Sequence, residues 1–328
     1  MTTTTAAPGR TTASWRTTAS TLLTRHIMVV VMLLIVAYFA YRSARFATPD
    51  NVVTILVAAA PFALIALGQT LVILTGGIDL SVGSVIALSA MAAAWTNKNV
   101  SDDLLLPLVA AVLCGLAAGA VNGLVVSRFG VPPFIATLGM LTLASGLAYA
   151  IGNGAPINGL SADYGAYANT SLFGVTVPVV LMIVAILLFA FLMRRTAFGL
   201  RVYAVGGNRL ASEIAGVRAK GTLFSVYAIS GLLAGLSGLM LSSRVITGAP
   251  NLGQGYELDA IAAVVIGGAS LAGGRGTVWG TTIGLLLIQT INNGLDLLIV
   301  PAFWQDVIKG VIIVAAVGVD VWAARRRR

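Results

Sequence analysis

The apolar run VVTILVAAAPFALIALGQTLVIL occupies residues 52–74, and the glycine-containing stretch TGGIDLSVG follows it at 75–83. The run carries no charged side chain and is long enough for a helix to cross the hydrocarbon core of a bilayer, which takes about 20 apolar residues. Stretches of the same kind recur from Ile27 to Trp322. The chain is therefore predicted to be an all-α, polytopic membrane protein.

The composition of the whole chain agrees with this prediction. Of its 328 residues, 58% are hydrophobic and only 9% are charged, and the mean hydropathy is +0.96. Soluble domains contain about 25% charged residues, so an ordinary globular enzyme and a disordered chain are excluded. The net charge of +9 does not indicate nucleic acid as a partner, because the 20 Lys and Arg residues lie in short connections between apolar runs.

Hydropathy predicts about ten transmembrane helices. They cover residues 27–42, 52–74, 80–96, 105–127, 133–151, 176–193, 221–243, 257–272, 277–294 and 303–324. An N-terminal arm at 1–26 precedes this transmembrane domain at 27–324, and a basic tail at 325–328 follows it. The first apolar run of the chain, from Ile27 to Tyr41, also fits a signal peptide. Arg42 and Arg45 fit a membrane edge better than a cleavage site, so we expect a retained helix.

The distribution of positive charge predicts the orientation of these helices. With the N-terminus inside, 15 Lys and Arg residues lie on the inner side, and four lie outside, while Lys309 falls within a span. The four outer residues are Arg42, Arg45, Lys98 and Arg244. Because cytoplasmic connections are enriched in Lys and Arg, we expect the arm at 1–26 and the tail at 325–328 to be cytoplasmic.

A glycine pattern occurs twice and predicts two related halves. GGIDLSVG at 76–83 and GGASLAGG at 267–274 share the spacing G-G-x-x-L-x-x-G, and each follows an apolar helix. The residues predicted to break the helices are Gly76, Gly77, Gly267 and Gly268. A break at membrane depth is tolerated only where the backbone is buried in protein or lines a wet cavity. The alternative is that these glycines serve close helix packing.

Carboxylates near helix starts are the next candidates for a functional role. Asp79 lies in the first glycine break, where Asp79 or Ser81 is expected to cap a helix that begins at Leu80. A carboxylate at this depth also fits a substrate ligand or a proton carrier. Glu257 and Asp259 open the eighth span, where negative charge suits a helix N-terminus, and we interpret both as structural.

The connection at 194–220, RRTAFGLRVYAVGGNRLASEIAGVRAK, is the longest predicted inner loop. Asn208 is expected to be the N-cap and Gly216 the C-cap of a short helix. Two turns of helix are marginal alone, and Leu210, Ile214 and Val217 would give this helix an apolar stripe for docking. The residues alone equally allow a solvated positive loop without a partner.

The sequence contains no recognisable motif for nucleotide binding, metal binding or catalysis. There is no G-x-x-x-x-G-K-[ST] phosphate-binding loop, and no His, Cys or carboxylate cluster suggests a metal site or a nucleophile. We therefore expect no catalytic residue, no bound metal and no cofactor in this chain, which is not predicted to be an enzyme.

Five long stretches resemble the permease subunits of bacterial ABC importers for monosaccharides, the ribose, xylose and galactoside type. They are GQTLVILTGGIDLSVGSVIALSA (68–90), GVPPFIATLGMLTLASG (130–146), GLRVYAVGGNRLASEIAGV (199–217), GYELDAIAAVVIGGASLAGGRGTVWG (255–280) and NNGLDLL (292–298). The similarity runs from about residue 50 to the C-terminus, and the stretches are long and in the family's order. The Thr-rich arm at 1–26 is not part of it.

This resemblance implies a multi-pass protein of the bacterial inner membrane that acts with several partners. Two permease copies, expected to be a homodimer, would form the path. A cytoplasmic ATPase would bind ATP and Mg²⁺, and a periplasmic or lipid-anchored binding protein would deliver the sugar. The family's coupling helix corresponds here to Gly207, Asn208, Arg209, Leu210, Ala211, Ser212, Glu213, Ile214, Ala215, Gly216 and Val217. Ser212 departs from the small apolar residue expected there, which should not prevent docking.

Polar residues within the predicted spans are candidates for lining the sugar path. They are Gln69, Thr70, Asp79, Asn122, Asn292 and Asn293, and for each of them hydrogen bonding between helices is the alternative. Other functions also remain open: a branched-chain amino acid permease of the same type, an ion-coupled transporter using Asp79, Glu257 or Asp306, and a membrane protein without transport, which the repeat and the breaks disfavour.

Overall fold

The computed structural model describes residues 15–172 and 174–325, and it is almost entirely helical. The first part of the N-terminal arm, residues 1–14, and the last three residues of the basic tail, 326–328, lie outside the described residues. The described helices, in chain order, are α1 (Trp15–Arg42), α2 (Pro49–Leu74), α3 (Val82–Asn99), α4 (Leu105–Ser127), α5 (Pro133–Ile151), α6 (Ala166–Asn169), α7 (Val177–Arg195), α8 (Ala197–Gly207), α9 (Arg209–Ile214), α10 (Ala219–Val245), α11 (Tyr256–Ile266), α12 (Val278–Leu297) and α13 (Ala302–Arg325).

Two minor elements lie between α5 and α7. A 3₁₀ turn at Ala162–Gly165 leads into α6, and the strands β1 (Ser171–Leu172) and β2 (Val175–Thr176) pair as an antiparallel hairpin. The predicted all-α class omitted this hairpin, which lies in the polar connection after α5. The helical architecture itself is as expected.

Five helices are long and apolar enough to cross a membrane by themselves, among the residues that the structure describes. They are α2, α4, α5, α7 and α10. Large apolar side chains are exposed on the outer faces of several helices, for example Leu113, Leu187 and Phe191. A folded protein in water rarely leaves such extended apolar faces uncovered, so these faces contact the hydrocarbon core of the bilayer.

A helix lies at each of the ten positions predicted from hydropathy, but one of them is shorter than expected. The span predicted at 257–272 corresponds to α11, which ends at Ile266 because Gly267 and Gly268 follow, the latter with a φ of +86°. A helix of 11 residues is about 16 Å long, whereas the hydrocarbon core is about 30 Å thick. This helix therefore extends through only part of the membrane.

The centre of the fold is formed by α2 and α10. Every residue from Ala59 to Leu74 on α2 is buried, and α10 packs on α2, α3 and α4. The α4–α10 contact is made by glycines: a Cβ added to Gly115 would overlap Gly231, and one added to Gly235 would lie 3.3 Å from the Gly115 Cα. Because hydrophobic burial gives little net driving force between helices in lipid, close backbone packing of this kind stabilises the pair.

The two ends of the helix bundle are built differently. One end, called here the α9 end, gathers the start of α5, α8, α9 and both glycine breaks. At the opposite end, the outer part of α3 contacts the connection after α5, where the Asn97 Nδ2 donates to Ser161 Oγ at 3.0 Å. The candidate functional residues from the sequence lie mainly at the α9 end and in the adjacent core.

Candidate functional site

The short helix α9 forms as the sequence predicts. Asn208 is extended, with a φ of −159°, and its Oδ1 accepts a hydrogen bond from the Ala211 backbone N–H at 2.9 Å. At the other end Gly216 has a φ of +84°, and its N–H donates to the Glu213 carbonyl at 3.0 Å. The Val217 N–H donates to the Ser212 carbonyl at 2.9 Å, which completes the double hydrogen bond of a Schellman motif. Both predicted caps are therefore present.

Two apolar side chains of α9 point away from the protein. Leu210 is 69% exposed and Ile214 is 81% exposed. Beside them, Arg209 and Glu213 form an exposed ion pair at 3.1 Å, which adds little stability because water screens it. A capped two-turn helix with two exposed aliphatic side chains is suited to insertion into a partner.

The predicted docking stripe needs one correction. Val217 is half-buried and packs with Val205, Ala219 and Leu223 inside the protein, because the chain turns at Gly216 and leaves the helix axis. The exposed stripe of this segment consists of Leu210 and Ile214. Ser212 faces the protein as well: it is buried, and its hydroxyl donates to the Arg209 carbonyl at 2.7 Å.

The two glycine breaks meet directly beneath α8. The Gly274 N–H donates to the Leu74 carbonyl at 2.9 Å, so the second break is bonded to the end of α2. Gly206 of α8 lies against both, and a Cβ on Gly206 would overlap the Leu74 carbonyl and lie 2.8 Å from the Gly274 nitrogen. The backbone of the connection between α7 and α10 is thereby in contact with both breaks.

A side-chain hydrogen bond strengthens this contact. The Tyr203 hydroxyl of α8 donates to the Gly276 carbonyl at 2.9 Å. Burial raises the pKa of the Tyr203 phenol above its usual value, so the hydroxyl keeps its proton and remains a donor. The contact was not predicted, since a tyrosine within an apolar helical stretch gives no indication of a carbonyl 73 residues away.

Asp79 lies at the centre of a buried polar network. Its Oδ1 accepts from the Ser81 N–H at 2.9 Å and from the Ser81 hydroxyl at 2.6 Å, and its Oδ2 accepts from the Ser230 hydroxyl of α10 at 3.1 Å. The Asn122 Nδ2 of α4 donates to Ser81 Oγ at 2.9 Å. With the Gln69 amide oriented so that both of its groups are paired, it bonds the Asp79 backbone at 3.1 and 3.3 Å.

The network differs from the predicted capping arrangement. Helix α3 begins at Val82 rather than at Leu80, and Ser81 occupies the N-cap position without a side-chain capping bond. Its hydroxyl is used by Asp79 instead. The carboxylate itself bonds Ser81 and Ser230 of α10, while α4 is joined through Ser81 and α2 through the Asp79 backbone. Because its oxygens are paired, the carboxylate can be buried, and Asp79 is 1% exposed.

The six predicted path residues do not form one cluster. Gln69, Asp79 and Asn122 share the network, and Thr70 on α2 bonds the Thr281 hydroxyl of α12 at 2.8 Å. These four are at most 2% exposed. Asn293 exchanges two hydrogen bonds of 2.9 Å with Asn51. Asn292 is half-buried, and its Oδ1 has no partner. The hydrogen bonds of the other five residues connect separate segments of the fold.

The carboxylates at the start of α11 have specific partners. Asp259 forms an ion pair of 3.2 Å with Lys309 of α13, whose ammonium also lies 3.9 Å from Asp306. Lys309, which the charge count left within a span, is thereby paired. The Glu257 carboxylate lies against the first turn of α3, where a Cβ on Gly83 would overlap it. A helix N-terminus favours such an anion.

Comparison with known proteins gives consistent matches. The family described as the permease component of the branched-chain amino acid transport system matches residues 51–317. The ribose import permease protein of Bacillus subtilis (strain 168) is 42% identical over 292 residues, which cover 88% of this chain and 90% of that protein. The D-allose transport system permease protein of Escherichia coli (strain K12) is 38% identical over 291 residues, 88% of this chain and 89% of that protein.

A third relative extends the range of sugars. The L-arabinose ABC transporter permease protein of Azospirillum brasilense is 34% identical over 301 residues, with 92% of this chain and 88% of that protein covered. No solved structure matches the chain.

Proposed function

Because the chain belongs to the family described as the permease component of the branched-chain amino acid transport system, we propose that it is the membrane-spanning subunit of an ATP-driven ABC importer for a monosaccharide. The observation that carries the proposal is the agreement among relatives. Proteins of 34–42% identity that match over most of their length are named as permeases for ribose, D-allose and L-arabinose. These names favour a sugar over the amino acid in the family's description.

The ATPase of the importer is a separate cytoplasmic subunit in this proposal, and ATP and Mg²⁺ belong to it. The segment from Gly207 to Val217 serves as the coupling helix. Its support is the capped helix α9, whose exposed Leu210 and Ile214 offer an apolar contact to a cleft in the ATPase. A periplasmic or lipid-anchored sugar-binding protein is the expected partner on the opposite face.

Coupling follows from the contacts of Gly206 and Tyr203 with the two breaks. Nucleotide binding shifts a transporter between two states only if it binds one of them better. When the ATPase closes, α9 moves with it, and α8 transmits that displacement to the ends of α2 and α11 through the backbone contacts at Gly206, Leu74 and Gly274.

A second copy of the chain completes the path in this proposal. Helix α5 exposes Phe134, Ile135, Leu138 and Leu143, and its glycines Gly139 and Gly146 have no atom within 4 Å of an added Cβ. Small residues on an uncovered apolar face favour close packing of helices in lipid. We assign this face to the homodimer contact, with membrane lipid around the remaining outer helices.

The protein is a multi-pass inner-membrane protein, and the proposal adds its orientation. Ten spans, two related halves and two cytoplasmic termini are inferred from the repeat and from the charge distribution. The α9 end is then cytoplasmic. A reporter enzyme that is active only in the cytoplasm should be active when it is fused after Arg328. Activity of a periplasm-specific reporter fused at the same position would contradict the span count.

Reconstitution tests the function. The permease is purified in mild detergent with the ATPase that accompanies it, placed in liposomes with the binding protein, and supplied with radiolabelled D-ribose, D-allose, L-arabinose or leucine. Uptake of a sugar that requires ATP supports the proposal. ATP-dependent uptake of leucine alone would favour the branched-chain amino acid permease, and uptake that requires an ion gradient instead of ATP would favour the ion-coupled transporter.

A further inference from the structure

A cavity of about 210 Å³ opens between α3, α5 and the irregular segment 246–255 that joins α10 to α11. Its polar lining consists of Ser84 on α3, Ser145 and Tyr149 on α5, Asn251 and Gln254 on the segment, and Glu257 at the start of α11. The predicted path residues take no part in this lining. The segment lies between the predicted spans at 221–243 and 257–272, and Glu257 is the only lining residue that was a candidate from the sequence.

The segment enters the membrane rather than lying on its surface. Near its start, a Cβ on Gly248 would lie 2.5 Å from the Ala94 Cβ, and further on, a Cβ on Gly253 would lie 2.7 Å from the Ile86 Cγ2. Ile86 is about 20 Å along α3 from the end of that helix at Asn99, at 1.5 Å per residue. With a hydrocarbon core of about 30 Å, Gly253 and its neighbours lie well inside it.

Irregular backbone and polar side chains at this depth cannot face lipid. Asn251 and Gln254 are exposed, and each carries an amide that lipid would leave without hydrogen bonds, at a cost of several kcal/mol. Backbone without regular structure is tolerated in a membrane only where it is buried in protein or lines a water-filled space. The cavity is therefore wet, and the segment that lines it leaves α10 at Val245, the end of that helix opposite α9.

We infer that this cavity is the outer part of the sugar path and that Asn251, Gln254 and Glu257 bind the hydroxyl groups of the sugar as it passes. The inference rests on the proposed function. A monosaccharide is neutral and presents hydroxyl groups that both donate and accept. Asn251 and Gln254 offer a donor and an acceptor each, and Glu257 offers acceptors. The volume is below the roughly 300 Å³ typical of pockets for drug-sized ligands and suits a small ring.

Cysteine labelling tests whether the cavity is wet. The single Cys114 is replaced by serine, and the variants Gln254→Cys and Asn251→Cys are made in that background. A membrane-impermeant methanethiosulfonate added outside intact spheroplasts should label both. Two controls should stay unlabelled: Ser237→Cys, whose hydroxyl is buried between helices, and Leu187→Cys, which is exposed to lipid. Labelling of Gln254→Cys no faster than that of Leu187→Cys would overturn the inference.

Uptake then tests whether sugar passes through the cavity. In proteoliposomes of the whole importer, the labelled Gln254→Cys variant should lose at least tenfold in ATP-dependent uptake of D-ribose, or of D-allose or L-arabinose where the unlabelled protein prefers that sugar. Full uptake after complete labelling would contradict the inference. If the unlabelled Cys114→Ser protein carries leucine and no sugar, the proposed function fails instead, and the labelling alone still decides whether the cavity is wet.

Discussion

The two glycine breaks share one spacing in the sequence and are held by different forces in the structure. In the first break, Asp79 is buried; its carboxylate bonds Ser81 and Ser230 of α10, Ser81 bonds Asn122 of α4, and the Asp79 backbone bonds Gln69 of α2. In the second break, Ser270 takes the place of Asp79 and Ala272 that of Ser81. Its turn is closed by backbone bonds, from the Ser270 N–H to the Arg275 carbonyl at 2.9 Å and from the Gly273 N–H to the Ser270 carbonyl at 3.0 Å.

The difference separates two roles that the glycines alone do not distinguish. Glycines determine where a helix stops, whereas the residues between them determine how firmly the break is attached. The first break is fixed in the core by a carboxylate, and the second is attached to α8 through Gly206 and Tyr203. We interpret the first as the more firmly anchored break and the second as the one that moves further when the coupling segment moves.

The largest effect is expected where both breaks meet α8. In Gly206→Ala the new methyl group overlaps the Leu74 carbonyl, and backbone atoms on both sides prevent it from moving away. Overpacking costs about 1–3 kcal/mol and occasionally more, and we expect the upper end here because the clash is with backbone. The yield of folded protein and the sugar uptake should both fall at least tenfold. Gly207→Ala is the matched control, since no atom lies within 4 Å of its added Cβ. Equal unfolding midpoints for the two variants would refute the contact.

The comparison between the breaks is tested most directly at equivalent positions. Asp79→Ala leaves the Ser81 and Ser230 hydroxyls without their acceptor and should lower the free energy of unfolding by about 2–3 kcal/mol. Ser270→Ala removes an oxygen that accepts only a long bond of 3.4 Å from the Ala272 N–H, so about 0.5 kcal/mol is expected. The measurement is the unfolding midpoint of each purified variant in detergent. Similar losses for both would mean that the breaks are held alike.

A smaller effect is expected from the attachment of the second break to α8. Tyr203→Phe removes the hydroxyl that donates to the Gly276 carbonyl and should cost about 1 kcal/mol. If the second break follows the coupling segment, this variant should also weaken the stimulation of ATP hydrolysis by the loaded binding protein. Tyr41→Phe, which changes a tyrosine that is 88% exposed on α1 and lies outside the polar cavity, is the control for general effects of the substitution. If the stimulation of ATP hydrolysis were unchanged in Tyr203→Phe, the proposed role of α8 in coupling would be wrong.

The smallest effect on stability is expected on α9. Ile214→Asp changes an exposed side chain, so the free energy of unfolding should change by less than about 0.5 kcal/mol. The uptake of sugar should nevertheless be lost, because a charge replaces the apolar contact with the ATPase. Ile214→Leu keeps that contact and should transport normally. Normal uptake by Ile214→Asp would contradict the assignment of α9 as the coupling helix.

Local features of the fold were predictable because they depend on neighbouring residues. The run at 52–74 lies within α2, and Asn208 and Gly216 delimit α9 as expected, since capping and apolar length are encoded within a few positions. The eighth span was predicted too long at 257–272, because hydropathy continued through residues that the glycines remove from the helix. Val217 was misassigned for a related reason: periodicity does not reveal that the chain turns at Gly216.

Contacts between distant residues were not predictable in the same way. Nothing near Asp79 in sequence indicates that Ser230, 151 residues later, donates to it. The same holds for Lys309, which pairs with Asp259. The segment at 246–255 falls between two predicted spans, and only its packing beside Ile86 places it within the membrane. The available signal for this placement was that the polar residues Asn251 and Gln254 directly precede the short predicted span at 257–272.

The glycine contact between α4 and α10 has a mechanical consequence. The backbone of Gly115 on α4 contacts Gly231 on α10, and Gly119 contacts Tyr227 and Gly231. Neither helix can slide along the other without steric collision, so the two move as one rigid unit. Helix α10 begins three residues after Gly216 and is about 40 Å long, at 1.5 Å per residue. A displacement of α10 near Ala219 therefore also moves its other end at Val245, which is followed by the segment that lines the polar cavity, and no relay of side chains is required.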